Sequence, residues 1–285
     1  MSRFYIPLDK ITEIKTLPDF SPITSIGVEG LRFAFENCTD ITGSVSFPSL
    51  TSIGDYGLNR TFYQCTGLTG SVFFPSLTTI DRSGLDSAFN GCTGLTGNIS
   101  FPNLTSIGQY GLYSSFYGCT GLKSVSFPSL PSIGDYGLYS SFYGCTGLTG
   151  SVSFSNLSTV GEYGLREAFR GCTGLTGSAS FPNLTTIKDY GLAYAFSKCT
   201  GLTSVSFPNL TSIGSRGLDR AFYNTGLTSV SFPNLTTIGS EGLFWTFYEC
   251  TGITEVHFKS SLSGNSECTA SNMNCPNATV YFDLP

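Results

Sequence analysis

The sequence predicts an α/β solenoid, a stack of repeats with a parallel β-sheet on one side and short helices on the other. Three observations carry this. Cysteines fall at Cys38, Cys65, Cys92, Cys119, Cys145, Cys172 and Cys199 with steps of 27, 27, 27, 26, 27 and 27 residues, and Cys250 follows after one unit that lacks the cysteine. Two phenylalanine columns, Phe47 to Phe258 and Phe35 to Phe247, hold 18 of the 24 phenylalanines. Gly-Leu recurs from Gly30-Leu31 to Gly242-Leu243 in nine units, giving a period of 25 to 27 residues. A fixed period of that size marks an array in which each unit buries its apolar face against the next.

The strand comes first in each unit. In Ser204-Val205-Ser206-Phe207-Pro208, Val205 and Phe207 alternate with serines, so one face is apolar and the other carries hydroxyls. Pro208 cannot donate to a ladder and ends the strand. Leu210 and Ile213 then supply a second inward pair, and Gly214 opens a turn. The other half has helical spacing. Leu138, Phe142 and Cys145 stand at i, i+4 and i+7 and predict an apolar stripe on about two helical turns. Acids before it, at Asp55, Asp135, Glu162 and Asp189, suit a helix N-terminus, and the glycine of Cys-Thr-Gly-Leu suits its C-terminal end. Five units carry an additional glycine before the strand, at Gly43, Gly70, Gly97, Gly150 and Gly177, which predicts bulges.

The ends depart from the pattern. Residues 1–30 read as an N-terminal cap holding a degenerate unit, Ile11 to Pro18. Residues 31–258 form the array, and 259–285 a C-terminal cap closing on a strand around Val280-Tyr281-Phe282. Ten coils at about 4.8 Å each predict a body roughly 50 Å long.

Composition narrows the function. Apolar residues make up 40% of the chain and charged residues only 12%, with a net charge of −5. An acidic chain with few bases is a poor nucleic-acid binder. No apolar run is long enough for a membrane helix, so no direct membrane insertion is expected. The start, Met1 to Pro7, shows no apolar signal region.

The unit Leu-x-x-Val-x-Phe-Pro-x-Leu-x-x-Ile-Gly, followed by Phe-x-x-Cys-x-x-Leu, resembles the BspA-like leucine-rich repeat family. Ala168-Phe169, Ala195-Phe196 and Ala221-Phe222 keep that family's Ala-Phe pair, and Cys275 to Phe282 resembles its end cap. The unit departs from the usual repeat of about 23 residues by an inserted segment containing Gly-Leu. The resemblance implies a leucine-rich-repeat fold on a surface or secreted bacterial protein, some relatives occurring in protozoa. It implies binding to protein or glycan on host or neighbouring cells, with no enzyme activity and no cofactor. A structural spacer within a larger surface protein is the alternative.

The residues themselves offer little chemistry. Zinc needs convergent pairs such as Cys-x-x-Cys or a supply of histidines, and the chain has 1 histidine, so no metal site is expected. The column cysteines read as a reduced, buried ladder. Cys268 and Cys275 lie outside the repeat in a polar loop and are candidates for a disulfide stapling the cap. His257 takes an outward strand position and reads as surface decoration, since a triad needs an activated nucleophile and an orienting acid. Hydroxyl columns of serine and threonine lack the Thr-x-Thr array that an ice-binding face needs, and read as small groups fitting a close stack.

One feature stands out. Tyr110, Tyr113 and Tyr117, then Tyr136, Tyr139 and Tyr143, repeat in adjacent units at i, i+3 and i+7. On helices these rings share a face about 125° from the Leu-Phe-Cys stripe. Stacking sets the triplets side by side, giving six tyrosines on the flank, either as a binding patch or as filling between neighbouring helices.

Overall fold

The computed structural model describes residues 15–285. Successive coils pair in parallel along two walls. The first wall holds the Val-x-Phe strands, from Gly43–Ser46 through Ser204–Ser206 to Thr279–Leu284. Its serines face out while the alternate residues face in, as in Ser204–Ser206, where only Val205 is buried. The second wall holds two-residue strands ending in the Ile column, such as Ser52–Ile53 and Thr79–Ile80, which pair as Ser52↔Thr79 and Ile53↔Ile80. Period-2 alternation is too short to be seen in two residues, so this second ladder is not legible as strand in the sequence. The register shifts between Gly43 and Val45 and between Gly70 and Val72, at two of the additional glycines. Gly70, at φ +78°, takes the left-handed conformation that such an irregularity needs.

The core is two phenylalanine stacks. Phe35 lies over Phe62 with ring centroids 5.3 Å apart and planes 1° from parallel, and Phe142 over Phe169 at 5.3 Å. The second stack runs beside it, as in Phe74 over Phe101 at 5.6 Å. Edge contacts join the two stacks, for example Phe127 against Phe142 at 6.2 Å. Leu, Ile and Cys columns fill the space around them, nearly all fully buried.

The expected short helices are absent from the array, where the segment from Gly-Leu to Cys is a ribbon of tight turns. Its hydrogen bonds alternate. The N–H groups of Tyr113, Ser115 and Tyr117 donate three residues back, to Tyr110, Leu112 and Ser114. Those of Leu112, Ser114, Phe116 and Gly118 donate to Gly137, Tyr139, Ser141 and Tyr143 of the next coil, each at 2.8 Å. Every fourth residue has positive φ, as at Tyr110, Ser114 and Gly118. The reason is width. A helix is about 10 Å across, whereas coils paired as strands advance about 4.8 Å. The ribbon advances at the strand step and buries the same Leu-Phe-Cys stripe.

This also reassigns the expected caps. The carboxylates of Asp55, Asp135 and Asp189 accept backbone N–H groups of the next coil, from Arg82 at 3.1 Å, Glu162 at 2.9 Å and Ser215 at 2.7 Å. The Thr-Gly-Leu glycine serves close approach: a Cβ at Gly94 would lie 2.5 Å from the carbonyl oxygens of both Thr66 and Leu68. Hydroxyl and amide columns bond carbonyls of the preceding coil, Thr78 Oγ1 to Thr51 at 2.9 Å and Asn209 Nδ2 to Pro182 at 2.7 Å. These threonines and asparagines are therefore coil-to-coil fasteners.

At the N-terminal end Thr16 bridges Thr42. The rest of the degenerate unit, Ile11 to Ile14, lies outside the described residues. At the other end, Glu255–Lys259 pairs with Thr279–Leu284. Between them a short helix, Ala270–Met273, starts on Thr269, whose side chain accepts from the Asn272 N–H at 3.1 Å. Its carbonyls at Asn272 and Met273 take the Trp245 and Phe247 N–H groups, occupying the donors that the ribbon elsewhere gives to a following coil. The expected staple is not formed: Cys268 and Cys275 are both free, buried thiols.

Candidate functional site

The six tyrosines come together on the outer surface of the ribbon. Tyr110 stacks on Tyr136 at 4.7 Å, Tyr113 on Tyr139 at 5.1 Å and Tyr117 on Tyr143 at 4.7 Å. Tyr110 meets Tyr113 edge-on at 5.8 Å. The rings share a face because the ribbon sends Leu112, Phe116 and Cys119 inward, buries Ser114 and Ser115, and leaves Tyr110, Tyr113 and Tyr117 on its outer side, although no helix sets the spacing. Tyr117 is 39% exposed and the other five are half-buried, so the rings fill the surface between coils and still present edges to solvent. Burial pushes the phenols of Tyr113, Tyr117, Tyr136 and Tyr139 above their ordinary range, so they stay protonated and keep a donor.

The face is longer than the sequence pattern shows. Tyr136 stacks on Tyr163 at 4.7 Å and Tyr163 on Tyr190 at 4.8 Å, so one column runs through four coils. The signal was the Tyr of Gly-x-Tyr-Gly-Leu and its variants, which recurs with the repeat and reads as part of it. Arginines enter as well. The Arg166 guanidinium lies 5.5 to 6.0 Å from the rings of Tyr139, Tyr163, Tyr190 and Tyr194. Arg170 pairs with Glu167 at 3.2 Å and lies over Tyr143 at 5.6 Å. In the sequence Arg170 shows only as the residue standing where the two earlier units have Tyr117 and Tyr143. Which rings it meets depends on neighbours one coil away.

The column is interrupted once between aromatic neighbours. Ser83 stands where the flanking units have Tyr56 and Tyr110. An open groove of about 480 Å³ runs from Tyr56 past Tyr110 to Tyr113, Tyr136 and Tyr139, with Arg82, Ser83 and Asp86 along it, and the place of the missing ring is its part between Tyr56 and Tyr110. Burial raises the Asp86 carboxyl above its usual range, against the hydrogen bond from Ser87 and the positive charges of Arg60 and Arg32.

His257 Nδ1 lies 3.0 Å from Asp283 Oδ1 and its Nε2 3.6 Å from Glu255 Oε2, with its ring stacked on Tyr281 at 4.7 Å. Carboxylates thus flank both nitrogens, the nearest of them raising the imidazole pKa, and the group ties the last strand to its neighbour. Among the described residues no cluster of three or more His, Cys, Asp or Glu is arranged to hold a metal ion. None of their helices is long and apolar enough to cross a membrane.

Sequence comparison places this geometry in a family. The BspA type leucine rich repeat region, in its form of six copies, matches residues 9–115, 59–190, 86–217 and 166–281. No curated protein matches. Among solved structures, a leucine-rich repeat protein from Bacteroides ovatus is 20% identical over 91% of this chain and 64% of its own, with a TM-score of 0.45. A leucine rich cell surface protein from Faecalibacterium prausnitzii is 21% identical over 91% of this chain and 76% of its own, with a TM-score of 0.38. A leucine rich repeat protein of T. pallidum is 25% identical over 55% of this chain and 64% of its own, with a TM-score of 0.38. This chain therefore spans less than two thirds of the length of the Bacteroides protein. Its repeats, matched in overlapping sets across residues 9–281, are those of one family, and the chain belongs to the BspA type leucine-rich repeat proteins.

Proposed function

We propose that this chain is a non-catalytic binding module of a bacterial surface or secreted protein, and that its tyrosine face recognises protein or glycan. One observation carries the reading. The six stacked tyrosines form a rigid, half-exposed aromatic surface on a chain whose other outward positions are largely serine, threonine and asparagine. Tyrosine offers a flat apolar body and a polar tip at little entropic cost, which suits contacts to both ligand classes. The family match supports surface or secreted placement.

The near-uniformity of the repeats supports a second reading, a spacer that holds another domain away from the cell. An array of matrix proteins and neutral and acidic glycans separates the two. A binding module is retained on some of these spots and released by the paired change Tyr117→Ser and Tyr143→Ser. A spacer is retained on none.

A further inference from the structure

The Ser83 gap has dimensions and chemistry of its own. The tyrosine rings of this face repeat at 4.7 Å, so omitting one leaves its neighbours two steps apart, about 9.5 Å by the usual coil spacing. That is room for one six-membered ring. Both walls have a face free for it. Arg32 lies over Tyr56 at 5.1 Å and Tyr136 over Tyr110 at 4.7 Å, and among the described residues no ring stacks between Tyr56 and Tyr110. The floor is polar. Asp86 Oδ1 accepts from Ser87 Oγ at 2.8 Å, which leaves acceptor positions on the carboxylate unfilled. Arg82 stands at the rim with five donors to offer.

These groups select among ring-shaped guests. An aromatic side chain would strip water from Asp86, Ser83 and Arg82 and return no hydrogen bonds. Arg32 and Arg60 are paired with Glu29 and Glu36, so Arg82 and Asp86 are left along the groove with opposite charges, and neither a cation nor an anion is favoured. An uncharged ring carrying hydroxyls satisfies both walls and floor. Resting on the reading that this face binds ligands, we infer that the slot between Tyr56 and Tyr110 holds one neutral pyranose of a glycan. Its C–H faces lie on the two tyrosines, and its hydroxyls donate to Asp86 and accept from Arg82.

Saturation-transfer NMR on the intact protein tests this, with the methyl glycosides of glucose, galactose, mannose and N-acetylglucosamine as probes and N-acetyltyrosinamide as the aromatic competitor. At least one glycoside binds at millimolar strength, and N-acetyltyrosinamide binds more weakly. Ser83→Tyr restores the missing ring in a column where Tyr110 already sits at φ +58° against +51° for Ser83, so it fills the slot and abolishes glycoside binding. Asp86→Asn keeps the shape and weakens binding at least tenfold, which decides the matter should Ser83→Tyr fail to fold. The inference is overturned if no glycoside binds the parent protein, if the tyrosine derivative binds in preference, or if Asp86→Asn binds as the parent does. Its failure is distinct from failure of the broader reading. A Ser83→Tyr protein that stays on an array spot from which the Tyr117→Ser, Tyr143→Ser pair is released removes the slot and leaves the face.

Discussion

Each column cysteine acts as a donor as well as an apolar filler. Cys145 Sγ lies 3.0 Å from the Phe116 carbonyl oxygen of the preceding coil, Cys92 2.9 Å from that of Phe62, and the same bond recurs at Cys172 and Cys199. Spacing in the sequence placed these residues inside. It held no sign of the bond, which joins positions 29 or 30 residues apart and exists only once coils are stacked. Where the cysteine is replaced, Thr225 fills the position but gives its hydroxyl to Phe222 of its own coil, three residues back, at 2.9 Å. Cys145→Ala therefore loses both packing and a donor and destabilises by about 1–3 kcal/mol, measured by denaturant unfolding. Burial pushes the thiols of Cys65, Cys145 and Cys199 to about 12, from 9.0. With the folded value raised, the native state holds these protons while the unfolded chain releases them above pH 9. Stability is thus complete below pH 9 and falls as pH rises from there towards 12. A disulfide-exchange reagent at pH 8 should leave Cys65 to Cys199 unlabelled until denaturant is added. Prompt labelling of the native protein would contradict the burial.

At the scale of the element, the turn ribbon is where sequence reasoning and structure part. The stripe of Leu, Phe and Cys at i, i+4 and i+7 fits a helix and fits equally a ribbon whose turns repeat every four residues. Two physical cues favoured the ribbon. Segments such as Gly137-Leu138-Tyr139-Ser140-Ser141-Phe142-Tyr143-Gly144 are poor in helix formers. A helix is also about twice as wide as the strand step allows. The ribbon accepts strained backbone in exchange for bonds between coils. In the last of its three positive-φ columns, Gly91, Gly118, Gly144 and Gly171 relieve that strain, while Lys198, exposed and at φ +63°, does not. The left-handed conformation costs a non-glycine residue about 1–2 kcal/mol, less the greater freedom glycine has when unfolded. Lys198→Gly should stabilise by about 0.5–1 kcal/mol, with Lys198→Ala giving no such gain. A melting temperature lower for the glycine than for the alanine variant would contradict the ribbon at this position.

Across the whole molecule, stability is a sum of neighbour contacts, since each coil touches only the next. The solenoid of stacked parallel coils was legible because that dependence forces a strict period on the core residues, down to both phenylalanine columns, whereas the helical side of the expected α/β class was not there to be read. Phe142 stacks on Phe116 at 5.4 Å and on Phe169 at 5.3 Å and meets Phe127 edge-on at 6.2 Å. Phe142→Ala should cost about 3–5 kcal/mol and loosen coils on both sides, seen as faster hydrogen exchange in residues 116–169 than at the ends. Unchanged exchange there would show that the stack does not transmit the lesion. The tyrosine set was legible for the opposite reason, as a departure from uniformity in two adjacent units. The Ser83 slot was not, because a missing ring has meaning only between two that are present.

The most direct measurement of the binding reading is made on one protein carrying Tyr113→Ser, Tyr117→Ser, Tyr139→Ser and Tyr143→Ser. Melting and retention on a wild-type array target are read from the same sample. Four ring pairs are lost, the Tyr113–Tyr139 and Tyr117–Tyr143 stacks and the contacts of Tyr113 with Tyr110 and of Tyr139 with Tyr136, which costs about 2–6 kcal/mol. The melting temperature should therefore fall without outright unfolding while retention is lost. A protein that unfolds outright would show that the tyrosines serve packing, and one that stays folded and fully retained would show that the binding surface is elsewhere.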